Sequence, residues 1–157
     1  DLYTGGTSET FLGRFVKERG VRDRVVLATK YTFNSDPSNP NAGGNGRKNI
    51  YRSVDDSLRR LKTDYIDLYW LHAWDTVTPV EEVAATFSDL IRAGKIRYYG
   101  FSDVPAWYVA RAKTLAEQER QIREILEYCP AALNVVDEEG RLLFHNARLR
   151  ELPFGLC

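Results

Sequence analysis

Four polar residues, Tyr3, Lys30, His72 and Ser102, carry the chemistry this sequence offers. Three of them close short apolar runs: Lys30 follows residues 25–29, His72 follows 64–71 and Ser102 follows 96–101. Tyr3 stands in a glycine-rich turn ahead of the first expected helix. A tyrosine near a lysine and a histidine is a workable general acid. The ammonium lowers the phenol's cost of giving up its proton, and the imidazole can hold a carbonyl oxygen in line. Taken singly, each has a plainer reading: one of nine tyrosines, a solvated strand-end cation, a satisfied buried histidine, a turn residue ahead of Pro105. Only a shared location turns four ordinary residues into a site.

The elements that would position them alternate. Residues 8–19 read as a helix capped by Ser8, with Leu12, Phe15 and Val16 on one face and Gly20 as its stop. Residues 25–29 read as a buried β-branched strand that exits at Lys30. Residues 31–46 hold two prolines, four asparagines and three glycines, so they form a long irregular loop. Ile50, Val54, Leu58 and Leu61 then repeat at helical spacing. The run from Asp64 is rich in Tyr, Ile, Leu and Trp and reads as a strand buried on both faces, with His72, Trp74 and Asp75 at its far end. Pro79 opens a further helix that stops at Gly94, residues 96–101 form another strand that ends in Ser102 and Asp103, and Pro105 starts one more helix.

Such alternation implies a parallel sheet with right-handed crossovers, either an open doubly wound sheet or an arc of a β/α barrel. In a barrel the carboxyl ends of the strands carry the chemistry, and Lys30, His72 and Ser102 would share that rim. Tyr3 would join them, since a turn leading into a helix occupies the carboxyl end of the preceding strand.

The bulk numbers exclude several classes. Basic and acidic residues balance at 22 each, which gives no electrostatic case for a nucleic acid or an anionic membrane surface and suits a soluble cytoplasmic enzyme. Cys129 and Cys157 lie far apart, without the spacing of a zinc site or a disulfide framework. No apolar stretch reaches the roughly 18 residues of a membrane span. A length of 157 residues falls short of the roughly 250 of a complete barrel, and the absence of an initiator methionine suggests a chain that begins partway through something.

The segments Asp1-Leu-Tyr-Thr-Gly-Gly-Thr-Ser-Glu9, Val26-Leu-Ala-Thr-Lys30, Asp64-Tyr-Ile-Asp-Leu-Tyr-Trp-Leu-His72 and Ile96-Arg-Tyr-Tyr-Gly-Phe-Ser-Asp103 follow one another as the signatures of the aldo-keto reductases do. Residues 1–118 resemble that family, and the insertion at 39–45 resembles its aryl-alcohol dehydrogenase-like branch. The resemblance implies an arc of a parallel (β/α)8 TIM barrel that reduces aldehydes or ketones with NADPH. It makes Tyr3 the proton donor, Lys30 the modulator of its pKa and His72 the group that orients the carbonyl. Ser102 and Asp103 would hold the nicotinamide carboxamide. The loop after Lys30 and Trp74 would line the pocket of a small-molecule carbonyl substrate. Two departures follow: the family's catalytic aspartate would fall before residue 1, and its asparagine after the serine is Asp103 here, an acceptor without a donor when ionised. Five of the family's eight strands have no counterpart, so weakened NADPH binding and self-association through exposed barrel edges are expected.

Beyond Gln118 the rhythm changes. Residues 119–128 read as a charged amphipathic helix, and 131–137 with 141–144 as an antiparallel hairpin around Glu138-Glu139-Gly140. Residues 119–157 resemble the opening of a PAS sensor domain, with Asn146 as a helix cap and His145 at a strand end. This places a boundary near Gln118 and sets a second possibility, a non-enzymatic sensor or scaffold chimera, beside an impaired reductase. A fusion with no evolved function is a third.

Overall fold

A computed structural model describes residues 3–128, 134–136 and 142–145, with side chains for 4–124. Asp1, Cys129, Asn146, Cys157 and the side chains of Tyr3 and His145, on which expectations above fall, lie outside the described residues. Two compact units divide the chain, residues 1–112 and 113–157.

In the first unit a short turn at Tyr3–Gly6 leads into α1 (Thr7–Arg19). Then come β1 (Ala28–Tyr31), α2 (Arg47–Leu61), β2 (Ile66–Leu71), α3 (Val80–Arg92), β3 (Ile96–Phe101) and the start of α4 (Ala106–Tyr128). The three strands form one parallel sheet in the order β1-β2-β3, with Thr29 beside Tyr69 and Tyr69 beside Tyr99. This α/β arrangement with parallel strands is consistent with a partial β/α barrel. Side chains alternate between the two faces of a strand, so Tyr31, Tyr69, Tyr99 and Phe101 share one face and Ala28, Lys30, Trp70 and Gly100 the other.

Phe87 of α3 organises the first of those faces. Its ring stacks on Tyr99 at 4.7 Å and meets Tyr31, Tyr69 and Phe101 edge-on at 6.1 to 6.4 Å. Helix α2 adds Ile50, Val54 and Leu61 to the core. On the second face Gly100 lies under Trp70, where a Cβ would come within 2.5 Å of the indole. Burial in β2 is therefore complete at Ile66, Tyr69 and Leu71 but partial at Leu68 and Trp70. The expectation of a strand buried on both faces is corrected to that extent.

Other local expectations are revised for physical reasons. Helix α1 begins one residue earlier, behind Gly6 in the left-handed region, and Ser8 caps nothing; Gly20 ends the helix with φ 61, as its lack of a Cβ allows. The buried face of α1 is Glu9, Gly13 and Val16, whereas Leu12 and Phe15 are exposed. Gly13 dictates this, because a Cβ there would stand 2.5 Å from the backbone of Arg60 and Leu61, and only a glycine lets the two helices approach so closely. Strand β1 starts three residues later than the apolar run, with Val26 exposed and Leu27 tied by its N–H to the Asp67 carboxylate at 2.8 Å. Lys30 therefore lies inside the strand, opposite Trp70.

Beneath α1, Glu9 is buried and its carboxylate accepts hydrogen bonds from the Thr29 hydroxyl at 2.5 Å and from Arg60 Nε at 2.6 Å. Burial alone would raise its pKa, but the hydrogen bond from Thr29, nearby positive charge and the hydrogen bond from Arg60 together hold the carboxyl below its ordinary 4.5. A depressed folded-state pKa gives stability that is complete above the unfolded value and lost as pH falls through the folded one. Urea melts should therefore show the Glu9→Gln chain losing the steeper part of the wild type's decline in stability below pH 4.5, while being weaker by about 3 kcal/mol at neutral pH.

Helix α4 is unbroken through Gln118, so the two helices expected on either side of that residue are one. The intervening Ala116, Glu117 and Gln118 are all good helix formers, and Lys113–Glu117 and Arg120–Glu124 pair one turn apart. In the second unit Asn134–Val136 (β4) pairs antiparallel with Leu142–His145 (β5), as the hairpin expectation had it. Among the described residues no helix is long and apolar enough to cross a membrane.

Candidate active site

The carboxyl ends of β1, β2 and β3 finish on one row, with Tyr31, Leu71 and Phe101 side by side. The ladder then extends by one step. His72 N–H donates to the Tyr31 carbonyl at 3.2 Å and Ser102 N–H to the Leu71 carbonyl at 2.8 Å, so Thr32, His72 and Ser102 form the next row. Lys30 sits two residues before Thr32 on the sheet face that carries Trp70, and lines a cavity of about 320 Å3 with Glu9, Leu12 and Trp70. The turn Tyr3–Gly6 runs directly into α1.

Electrostatics tie part of this rim together. Burial, and next the charge of Lys30, hold the His72 pKa below 6.5, while Asp103 acts in the opposite sense. At neutral pH the imidazole is therefore uncharged and offers one N–H and one lone pair. Asp103 adopts φ 52, a conformation open to aspartate, and its carbonyl accepts from Trp74 N–H at 3.1 Å, which links the loops after β2 and β3. Tyr31 adjoins Lys30 in sequence but points to the opposite face, where burial raises its phenol pKa well above 10. It is a core residue.

Trp74 faces elsewhere. Its indole meets Trp107 edge-on at 5.6 Å and lies against Tyr108, lining a cavity of about 480 Å3 with Val77, Glu81 and Arg111. Lys30 and Trp74 thus line separate cavities. From the long loop, the residue that reaches the rim is Phe33, whose ring edge packs on the His72 imidazole at 4.9 Å.

Sequence reasoning missed Phe33 and also the residue that fastens the loop. Asn45 is fully buried. Its Oδ1 accepts from the Thr32 hydroxyl at 2.8 Å, its Nδ2 donates to the Ala73 carbonyl at 2.9 Å, and its backbone N–H donates to Asp75 Oδ2 at 2.7 Å. Asp75 also accepts from the Thr78 hydroxyl at 2.6 Å and the Val77 N–H at 3.1 Å. Burial works to raise its pKa, yet these bonds keep the carboxyl below its ordinary value. An asparagine flanked by glycines in a loop is a turn signal, and nothing local distinguishes it from one that ties two loops together.

Lys30 thus lies one residue before the end of β1, and His72 and Ser102 directly follow β2 and β3. The chain belongs to the aldo/keto reductase family, which matches residues 1–136. It is 40% identical over 124 residues to the aryl-alcohol dehydrogenase (NADP+) of Phanerodontia chrysosporium, a match covering 74% of this chain and 32% of that protein. It is 45% identical over 121 residues to a norsolorinic acid reductase of Emericella nidulans, covering 74% and 31%. With norsolorinic acid reductase B of Aspergillus parasiticus it shares 40% over 131 residues, covering 80% and 34%. The chain spans about a third of the length of these relatives. The family match continues past Gln118 into the segment read as sensor-like.

Proposed function

We propose that this chain serves NADPH-dependent reduction of an aldehyde or ketone to an alcohol, in the cytoplasm, with Tyr3, Lys30 and His72 as its working groups. The observation that carries the reading is the row that His72 and Ser102 form at the strand ends, two residues beyond Lys30 on the neighbouring strand. Bound NADPH would supply the hydride that reaches the carbonyl carbon. Neutral His72 orients the substrate by donating an N–H to the carbonyl oxygen. The Tyr3 phenol passes its proton to that oxygen as negative charge develops there, and the Lys30 ammonium stabilises the phenolate left behind. Ser102, which can donate and accept, and Asp103, which accepts, match the two hydrogen-bonding ends of a nicotinamide carboxamide, and both directly follow β3.

An aromatic aldehyde is the substrate class we favour, supported by the name of the fungal aryl-alcohol dehydrogenase relative and by the ring of Phe33 against His72. Trp74, which lines a different cavity from Lys30, is left out of this pocket. For residues 119–157, the antiparallel pair β4–β5 is too general a motif to support the PAS-like reading, and the unbroken α4 and the family match to residue 136 weigh against a boundary at Gln118. We assign the chain up to residue 136 to the reductase. A second copy, where the chain self-associates, would pair along the outer strands β1 and β3. Loss of NADPH absorbance on adding benzaldehyde tests the activity: steady turnover that Tyr3→Phe abolishes is the expected result. Turnover that survives Tyr3→Phe unchanged would overturn the assignment of the proton donor.

A further inference from the structure

We propose that Thr32 and Asn45 are positioning residues that clamp the backbone on both sides of His72 and so fix its imidazole on the rim; the purpose of the clamp rests on the role given to His72 above. The Thr32 hydroxyl accepts the His72 N–H at 3.2 Å while donating to Asn45 Oδ1 at 2.8 Å. One residue further on, the Ala73 carbonyl accepts from Asn45 Nδ2 at 2.9 Å. The His72 N–H, which the Tyr31 carbonyl also accepts at 3.2 Å, and the Ala73 carbonyl, one peptide beyond the histidine, are thus held, through one hydroxyl or directly, by a single fully buried amide.

That amide is itself anchored. The Asn45 backbone N–H donates to Asp75 Oδ2 at 2.7 Å, and the same carboxylate accepts from the Thr78 N–H and hydroxyl ahead of α3, so the clamp runs from the approach to a helix to the strand end that carries His72. Thr32 adopts φ 119, outside the regions a β-branched residue ordinarily occupies, and its carbonyl is held there by Gly44 N–H at 2.7 Å. Such a conformation persists only where the surroundings over-determine it, and it commonly marks a site that needs it. The same twist delivers Phe33, the next residue, onto the imidazole. A loop that only needed to be tied down could use any of its exposed polar groups. In this one the side-chain hydrogen bonds of Thr32 and Asn45 fall around one histidine. Orientation is what a carbonyl-holding group requires, because a misplacement of about 1 Å can cost on the order of a hundredfold in rate.

The test reads His72 without substrate, so its outcome is separate from the fate of the reductase reading. The chain has two histidines, and a His72→Gln variant assigns the ring proton signals in NMR. In the wild type the His72 signals are expected to carry a ring-current displacement from Phe33 and to titrate with a midpoint below 6.5. In Thr32→Val, which keeps the volume and removes the hydroxyl, the displacement is expected to collapse and the midpoint to move up towards 6.5; Asn45→Ala should repeat both changes, and Thr32→Ser should restore wild-type behaviour. The proposal is overturned when Thr32→Val or Asn45→Ala, folded by circular dichroism, keeps the wild-type signals and midpoint, or when Thr32→Ser behaves as Thr32→Val. Should one substitution unfold the chain, the other decides by the same reading.

Discussion

Carbonyl reduction by the Lys30→Met chain is expected to fall by about a hundredfold to ten-thousandfold, the range that a positioned proton-transfer system contributes. The charge is what is lost. Methionine has nearly the length of lysine, and Lys30 is half-buried on the sheet face beside Trp70, so packing is retained while the phenol loses the cation that makes its proton available. The same substitution has a second, independent signature. The Lys30 charge is, after burial, the largest influence that depresses the His72 pKa, so its removal should raise the titration midpoint of His72. A fall in rate with no movement of that midpoint would show that Lys30 acts somewhere other than on this rim.

The largest expected effect on stability comes from Phe87→Ala. The ring is fully buried and touches four aromatic side chains from all three strands, so its removal opens a cavity that the rigid neighbours cannot collapse to fill. Large-to-small changes of this kind cost about 3 to 5 kcal/mol, a large share of the roughly 5 to 15 kcal/mol by which domains are stable. Urea melts should show the midpoint reduced accordingly with the slope unchanged, and Phe87→Leu should recover more than half of the loss. A cost under 1 kcal/mol would mean that the sheet face is held mainly by Ile50, Val54 and Leu61 of α2.

These contrasts show where sequence reasoning succeeds. The alternation of strands and helices was legible because each element carries its own periodicity and its own stop, as Gly20 and Gly94 do. The rim was legible because in a parallel sheet every strand points the same way, so the polar residues that end the apolar runs must gather at one end. Contacts made across long separations were not legible. Gly13 looks like a mild helix defect until Arg60 and Leu61 are laid against it, and Glu9 looks like a solvated charge until Thr29 and Arg60 enclose it. Both invert the expected buried face of α1. Asn45 is the same case at the site, since its partners Thr32, Ala73 and Asp75 lie up to 30 residues away. The left-handed backbone of Thr32 leaves no trace in residue type at all.

The central claim is that the strand-end rim forms a nicotinamide-binding reductase site, and the most direct measurement is a titration of the purified chain with NADPH, followed through nicotinamide fluorescence. The account predicts saturable binding that Ser102→Ala weakens, whereas Trp107→Phe, in the aromatic cluster of the separate cavity, leaves it unchanged. Absence of binding at millimolar NADPH would contradict it, leaving Lys30, His72 and Ser102 as features of family membership with no cofactor to serve.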